Sequence, residues 1–414
     1  MDNNLQIPLN LPDVRIIEVC KTDREDWLIK VESTLNEAKC HKCGRPITDF
    51  HCFGEPVRLR HLPLFEVPVY IELRPKRYRC PSCEGHPTTT QELSWYVRRS
   101  PNTKAYEQWL LRLLINSTVT DVAYKLNLSE DVVTGALERW VENTVDWDRF
   151  ESIEVLGIDE ISLKRGHRDF VALVTTPSDR GVEILAVLED RKKETVGKFL
   201  TSIPSRLKNT INTVCTDMYL GYVNAVREEL PRAKIVIDRF HVAIAYRDCA
   251  DAVRKQELRR LKQELSNTDY DEIKGLMWTF RQRPEDVSAE DRVKLGKLFD
   301  YSPTLKQAYR LREELSAIFD GNYTKAGAKN AIQSWCKRVR KQGMEAFDSF
   351  LTTLDNWLNE ITNYFLAGQT SGFVEGFNNR VKVLKRRCYG IFDVQHIFQR
   401  LTLDTTGYER FKFT

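Results

Sequence analysis

Short alternations of apolar and polar residues mark the first part of the chain, up to Leu93. Val67, Val69, Ile71 and Leu73 occupy every second position, and prolines interrupt this run and its neighbours. Alternation of this kind turns one face of a β-strand towards a core, and proline ends such runs. The pattern predicts a small β-rich module over residues 1–93.

Between Thr103 and Val145 the apolar spacing becomes helical. The apolar positions recur at intervals of three and four residues and are Trp109, Leu110, Leu113, Leu114, Val122, Ala123, Leu126, Val132, Val133 and Leu137. Ser129 precedes the last of these stretches, where serine commonly caps a helix. Two helices joined by this short turn predict a helix-turn-helix in a module spanning 94–150, and an ordinary helical hairpin is the alternative.

Residues 151–241 alternate between β-branched apolar runs and helical stretches. The predicted strands cover residues 154–159, 170–175, 182–188, 213–216 and 234–237, and the predicted helices cover 195–203 and 222–230. The resulting order βββαβαβ indicates a mixed sheet whose first and fourth strands lie side by side and parallel. We expect this segment to form the first part of an α/β core.

Strong helix formers with apolar residues at helical spacing dominate residues 242–370, which predicts a helical insertion. A breaker-rich segment then leads into residues 371–414, the last helical stretch. We expect this stretch to complete the core after the insertion. The fold class is therefore an α/β multidomain protein with a mixed sheet interrupted by helices.

The composition of the 414 residues, 42% hydrophobic and 29% charged, is that of a soluble globular chain rather than a disordered one. No apolar run approaches the ~18 residues of a membrane span, and the N-terminus lacks the order of a signal peptide. These features predict a cytoplasmic protein, associated with the nucleoid if its partner is DNA.

The formal net charge is only +4, so the placement of basic residues matters more than their number. A single basic run is usually just a solvated surface. Several runs near candidate sites indicate contacts to an anionic polymer such as DNA. The predicted DNA contacts are Arg74, Lys76, Arg77, Arg79, Arg98, Arg99, Arg380, Lys382, Lys385, Arg386 and Arg387.

Two Cys-x-x-Cys pairs, Cys40 with Cys43 and Cys80 with Cys83, flank a predicted β segment. Two tight turns that each offer a thiolate pair suit the tetrahedral coordination of zinc, and unliganded thiols or a redox pair are the alternative. A closed site with four thiolates has no open coordination position. The spacing therefore predicts a structural Zn²⁺ rather than a catalytic one.

Asp159 and Asp217 each end a predicted strand, and these two strands are expected to be neighbours. Adjacent carboxylates repel each other unless a divalent cation binds between them, and Mg²⁺ prefers such hard oxygen ligands. Any one carboxylate on its own is commonly a cap or a surface group. Found together at one sheet edge, the two aspartates predict a Mg²⁺ site.

A third carboxylate must come from outside the sheet, and Glu375 is the best candidate. Gly372 and Gly376 flank it at the start of a helix that continues into a basic cluster suited to phosphates. Asp238 and His241 close the fifth predicted strand at the same edge and could orient a metal-bound water or a phosphate. The alternative is that His241 caps or packs under the following helix.

Together these motifs resemble the DDE-type transposases of bacterial insertion sequences, and most closely the ISL-three (ISL3) family. The resemblance covers nearly the whole chain and depends on an ordered set: the two cysteine pairs, Gly157–Ile158–Asp159–Glu160 with Lys164–Arg165–Gly166–His167, Thr216–Asp217, Asp238–Arg239–Phe240–His241, and Ser371 to Arg387 followed by Cys388–Tyr389–Gly390. It implies a ribonuclease H-like catalytic domain, preceded by a zinc ribbon and a helix-turn-helix.

The resemblance also implies a function. Asp159, Asp217 and Glu375 would hold two Mg²⁺ or Mn²⁺ ions per active site for DNA cleavage and strand transfer. The N-terminal modules would bind the terminal inverted repeats of the element, with a homodimer or higher oligomer joining element ends to target DNA. The alternatives are a catalytically inactive DNA-binding protein derived from a transposase, and a ribonuclease H-like nuclease of branched DNA.

Overall fold

A computed structural model describes residues 9–164, 168–179, 181–367, 372–388 and 393–412. The chain divides into two compact units. Unit 1 comprises Met1–Asn143 and Gln399–Thr414, and unit 2 comprises Thr144–Phe398. Because the second part of unit 1 comes from the C-terminal end of the chain, unit 2 is inserted between two segments of unit 1.

The strands of unit 1 are β1 Val14–Lys21, β2 Trp27–Ser33, β3 Ala38–Lys39, β4 Pro46–Ile47, β5 Asp49–Phe53, β6 Val57–Leu64, β7 Val67–Leu73, β8 Lys76–Arg79 and β9 Thr88–Thr90. A four-stranded sheet has the order β1-β2-β7-β6, in which β2 and β7 are parallel. Val69, Ile71 and Leu73 face its core, as the alternation predicts. The β-rich module thus consists of this sheet and a smaller cysteine-bearing part, built from β3-β4 and β5-β8-β9.

Three helices follow the strands of unit 1: α1 Lys104–Leu114, α2 Val119–Leu126 and α3 Glu130–Trp140. Thr118 caps α2 by accepting a hydrogen bond of 2.9 Å from the Asp121 amide. Asn127 ends α2 in the left-handed region at φ 49°, which turns the chain sharply into α3. Val122, Ala123, Val133, Ala136 and Leu137 fill the interface between these helices.

The last helix of the chain, α16 Val394–Arg410, differs from the prediction for residues 371–414. Its residues from Gln399 onward belong to unit 1 rather than completing the α/β core. Arg400 is buried and donates hydrogen bonds to the carbonyl oxygens of Leu114 (3.1 Å) and Ser117 (2.7 Å), which end α1. Gly407 allows close packing, because a Cβ there would lie 2.9 Å from Ile115.

Unit 2 contains one mixed sheet and the helices that cover it. Its strands are β10 Val155–Lys164, β11 Arg168–Ser178, β12 Gly181–Leu188, β13 Thr213–Thr216 and β14 Lys234–Ile237, and the helices between them are α4 Lys193–Ser202, α5 Ser205–Lys208 and α6 Leu220–Glu229. The order is β12-β11-β10-β13-β14, with β10, β13 and β14 parallel and β11 antiparallel to its neighbours. The predicted strand order is confirmed, and the short helix α5 is an addition to the predicted elements.

The remaining helices of unit 2 are α7 Arg239–Glu264, α8 Asn267–Ile273, α9 Met277–Arg281, α10 Ala289–Tyr301, α11 Pro303–Asp320, α12 Lys325–Lys341, α13 Asp348–Thr362, α14 Tyr364–Ala367 and α15 Gly372–Arg387. Tyr246, Trp335, Phe347 and Phe350 lie at the centre of their core. The helical segment begins directly after β14, a few residues before the predicted start. Within the described ranges, no helix is both long and apolar enough to cross a membrane.

Candidate active site and metal centre

The four cysteines of unit 1 form one cluster. The Sγ atoms of Cys40 and Cys83 are 4.0 Å apart, those of Cys43 and Cys80 are 3.8 Å apart, and all four lie within 4.8 Å of one another. Tetrahedral zinc with bonds of about 2.3 Å to sulfur requires S···S separations of about 3.8 Å. The cluster therefore has the size and the donor set of a structural zinc site.

Two tight turns place these thiols. The Gly44 amide donates to the Cys40 carbonyl (2.9 Å) with Gly44 at φ 71°, and the His86 amide donates to the Cys83 carbonyl (3.0 Å). The backbone N–H groups of Cys43 and Lys42 lower the pKa of the Cys40 thiol to about 6. Since zinc binds the thiolate, these turns prepare Cys40 as a ligand before metal arrives.

Three aspartates lie where the parallel pairing of β10, β13 and β14 ends. Ile158 pairs with Thr216, so Asp159 on β10 and Asp217, directly after β13, are neighbours. Asp238 follows β14, the next strand along. Asp159 and Asp238 are each 8% exposed. The sheet thus brings the two predicted aspartate ligands together, as parallel strand order predicts.

Burial and then the charge of Asp159 raise the pKa of Asp217 from 3.8 to about 7, against the opposing influence of His241. Asp217 Oδ1 is buried and makes no hydrogen bond within the described part of the chain. Two adjacent carboxylates with an unsatisfied oxygen are an unfavourable arrangement for the isolated chain. A divalent cation with hard oxygen ligands would relieve it, so the donor set fits Mg²⁺.

Asp238 and His241 have different roles in the structure. The Asp238 carboxylate accepts a hydrogen bond of 2.8 Å from the Phe240 amide and caps α7. His241 lies in the first turn of that helix, with Nε2 at 4.0 Å from Asp159 Oδ1. The capping function considered for His241 is therefore performed by Asp238, and the His241 ring faces the aspartates.

The predicted third ligand, Glu375, lies on α15, and its side chain is outside the described residues. Phe377, Val381 and Leu384 form the buried face of this helix. The Lys385 ammonium donates a hydrogen bond of 2.5 Å to the carbonyl of Ser162 on β10. The helix that carries Glu375 therefore packs on the strand that carries Asp159. Arg165, Gly166, His167, Tyr389 and Gly390 of the predicted motifs also lie outside the described residues.

The basic residues predicted to contact DNA divide into exposed residues and residues that are at least partly buried. The exposed ones are Arg74, Arg79, Arg98 and Arg99 in unit 1, and Arg380, Lys382 and Arg386 on α15. Lys76 contradicts the prediction, because it is buried and donates to the Leu35 carbonyl (3.1 Å) and Asn36 Oδ1 (3.0 Å). Arg77 donates to Thr88, and Lys385 is held by Ser162 as described. Arg387 is half-buried.

Two residues near the aspartates carry no signal in the sequence. Arg191 forms a 2.8 Å ion pair with Glu160 and stacks over the rings of Phe170 (4.7 Å) and Tyr219 (5.0 Å). Tyr222 is fully buried on α6. Arg191 lies in a mixed acidic and basic run that is indistinguishable from a solvated loop, and Tyr222 matches the apolar spacing of an ordinary helix.

Family models match three parts of the chain. A family model for the transposase of the ISL3 type matches residues 156–401. A model for the zinc-finger of the transposases IS204, IS1001, IS1096 and IS1165 matches residues 36–83. A third, the helix-turn-helix domain of transposase family ISL3, matches residues 91–141. The chain therefore belongs to the ISL3 family of transposases, which confirms the resemblance, and the helix-turn-helix is preferred over a plain hairpin.

Two relatives extend over most of the chain. The transposase for insertion sequence element IS1001 of Bordetella parapertussis is 28% identical over 92% of this chain and 92% of its own. The transposase for insertion sequence element IS1557 of Mycobacterium tuberculosis is 22% identical over 89% of this chain and 86% of its own. Membership of a transposase family implies DNA cleavage and strand transfer, and the helix-turn-helix implies DNA binding.

Proposed function

We propose that unit 2 is a ribonuclease H-like nuclease and strand transferase in which Asp159, Asp217 and Glu375 hold two Mg²⁺ ions. The observation that carries the proposal is the parallel pairing of β10 with β13, which sets the buried Asp159 and the half-buried Asp217 side by side. Their mutual repulsion, expressed in the raised pKa of Asp217, favours binding of a divalent cation. The strand order, with the first strand central and the second antiparallel to it, supports the ribonuclease H-like assignment.

Glu375 completes the proposed set because α15 packs on β10, three residues beyond Asp159 at Ser162. When bound, the metal pair would activate the attacking oxygen and stabilise the leaving 3′ oxygen of a phosphodiester. The protein itself orients these ligands and the DNA. Arg380, Lys382 and Arg386 on α15 are exposed and would neutralise backbone phosphates near the carboxylates.

His241 is positioned to assist the ligand trio rather than to join it. At 4.0 Å from Asp159 Oδ1, its Nε2 can donate a hydrogen bond to a water or phosphate oxygen held beside that carboxylate. Asp238 acts on His241 through the backbone, since its cap fixes the first turn of α7. Of the two, only His241 is proposed to contact the reacting groups.

Unit 1 is proposed to bind the terminal inverted repeats of the element, with two copies of the chain pairing both ends before joining them to target DNA. The helix-turn-helix of α2 and α3 would enter a groove, and the exposed Arg79, Arg98 and Arg99 would contact phosphates. Arg139 is excluded from this set because its guanidinium pairs with the buried carboxylate of Glu107.

The test uses linear DNA that carries the inverted repeats, with Mg²⁺ or Mn²⁺. Wild-type protein should nick and join this DNA. Asp159→Ala should abolish both reactions and retain end binding in a mobility shift assay, whereas Asp190→Ala, an acid at the end of another strand, should retain activity. Cleavage by Asp159→Ala would refute the assignment, and faster cleavage of four-way junctions than of linear ends would identify a branched-DNA nuclease instead.

A further inference from the structure

Near the proposed metal site, the structure leaves a group of buried polar atoms without hydrogen bonds. Among the described residues, these include the Tyr222 hydroxyl, the Thr216 hydroxyl and Asp217 Oδ1. Tyr222 is 0% exposed, so solvent cannot satisfy its hydroxyl. Buried polar groups in folded proteins almost always have a partner, and an unpaired one has a cost that requires an explanation. In the part of unit 1 that the structure describes, the Tyr106 hydroxyl is also buried and unbonded, so the case for Tyr222 depends on the unbonded carboxylate oxygen of Asp217 in the same region.

Contacts link Tyr222 to the carboxylate edge, because its ring packs on Tyr219, Tyr219 lies under Arg191, and Arg191 pairs with Glu160 beside Asp159. After burial, the charged group that raises the pKa of Tyr222 most is Asp217, followed by Glu160 and Asp159. Asp217 precedes α6 and Tyr222 lies in its first turn, and the backbone of Tyr219 lowers the pKa of Asp217. Within the described structure, Asp217 Oδ1 has no hydrogen-bond donor.

The ring of Tyr222 is held rigidly. It packs edge to face on Tyr219 with 5.0 Å between ring centroids, and it belongs to the core between the sheet and its helices. Tyr219 is in turn covered by the Arg191 guanidinium, which is fixed by its ion pair with Glu160. A side chain braced in this way can direct a hydroxyl at a fixed point without losing further conformational entropy.

We propose that Tyr222 is a positioning residue for metal binding, and that its hydroxyl donates a hydrogen bond to the Asp217 carboxylate in the metal-bound site. This inference rests on the proposed function, because it takes Asp217 as a ligand. Carboxylates that bind metals are commonly held by such outer partners, and loss of the partner typically weakens metal binding about 10–100-fold. The donor would satisfy two unpaired atoms at once and fix the orientation of Asp217 towards the metal.

The test is Tyr222→Phe, which keeps the ring and removes only the hydroxyl. Mn²⁺ binding to the zinc-loaded full chain, without DNA, is measured by electron paramagnetic resonance. We expect the dissociation constant to rise about 10–100-fold. Cleavage of end DNA should recover at high Mn²⁺, and end binding should not change. The thermal midpoint should stay equal or rise, since an unbonded buried hydroxyl is removed.

Tyr246→Phe is the matched control, because its buried hydroxyl already donates a 2.6 Å hydrogen bond to the Ala308 carbonyl, within the helical core. It should lower the thermal midpoint without changing Mn²⁺ affinity. Wild-type affinity in Tyr222→Phe would overturn the inference. Asp217→Asn separates this outcome from failure of the proposed function: if Asp217→Asn also binds Mn²⁺ as the wild type does, the ligand assignment itself is wrong.

Discussion

The thiol cluster of unit 1 and the carboxylate pair of unit 2 differ in how complete their sets of metal ligands are. Cys40, Cys43, Cys80 and Cys83 lie on two tight turns, and their sulfur atoms already stand at the separations that zinc requires. The aspartates come from two strands that are far apart in the sequence and adjacent in the sheet, and the charge of Asp159 adds to burial in raising the pKa of Asp217. A closed site stabilises a fold, whereas an open site retains unsatisfied groups that can act on a substrate.

The pKa shifts of the proposed ligands also differ between the two sites. Backbone N–H groups lower the pKa of Cys40 to about 6, which favours the ionised ligand before metal binds. Burial and Asp159 raise the pKa of Asp217 to about 7, which disfavours the ionised ligand until a cation arrives. Metal binding should release protons at both sites, from thiols such as Cys83, whose pKa the neighbouring Cys43 and Cys80 raise to about 12, and from Asp217.

The largest effect should follow from breaking the closed site. Cys80→Ser removes one of four zinc ligands at a buried position. Structural zinc contributes about 10–16 kcal/mol of apparent binding free energy in small zinc modules, so the cysteine-bearing part should lose its fold. We expect loss of bound zinc by atomic absorption and loss of end binding in a mobility shift assay. Zinc-free protein that still binds element ends tightly would contradict this prediction.

A change in the carboxylate site should raise the stability of the metal-free protein rather than lower it. Asp217→Asn removes a buried charge, and each unit of raised pKa corresponds to about 1.4 kcal/mol. The metal-free variant should melt several degrees higher than the wild type, at about 2–4 °C for each kcal/mol gained. It should also lose the stabilisation that Mg²⁺ gives the wild type, which is about 2.7 kcal/mol when Mg²⁺ is at 100 times its dissociation constant. Calorimetry with and without Mg²⁺ measures both effects.

The raised pKa of Asp217 also predicts a pH dependence. Between its unfolded value of 3.8 and its folded value of about 7, the native state binds more protons than the unfolded state. The contribution of this group to the free energy of unfolding is therefore favourable at low pH and is lost as pH rises through that window. Urea unfolding of metal-free protein at pH 5 and pH 8 should show this loss in the wild type and not in Asp217→Asn.

The smallest effect concerns DNA contacts within one strand of unit 1. Arg79 is exposed, and removing one phosphate contact lowers the slope of log affinity against log salt by about 0.9. Lys76, on the same strand, is buried with its ammonium bonded inside the protein. Arg79→Ala should reduce the salt slope of end binding at constant stability. Lys76→Met should lower stability and leave the salt slope unchanged. A reduced salt slope in Lys76→Met would show that Lys76 contacts DNA.

The sequence predicts those features that depend on local spacing. The strands β13 and β14 have their predicted bounds, because short apolar runs buried on both faces stand out from the polar residues around them. β10 extends to Lys164, beyond its predicted end at Asp159. Pairing with β11 continues there through polar residues such as Ser162, and hydrogen bonding of this kind leaves no mark in an apolar pattern.

Sequence patterns could not predict the features that depend on tertiary contacts. Burial of Lys76 depends on the carbonyl of Leu35, which comes from another loop of the module. The Glu160–Arg191 pair and the unbonded hydroxyl of Tyr222 depend on how β12 and α6 approach the carboxyl edge. The pairing of Asp159 with Asp217 could be predicted because parallel strand order brings their ends together, while Glu375 depends on how a long helical segment returns the chain.

The return of residues Gln399–Thr414 to unit 1 has a consequence for synthesis on the ribosome. Arg400, Leu403 and Phe411 close the core around α1 and α3, so the DNA-binding unit is incomplete until the last turns of α16 emerge. By then the whole of unit 2 has been translated. A nascent chain that lacks α16 therefore has an unfinished unit 1, and under the proposed function only molecules with a complete unit 2 would bind element ends.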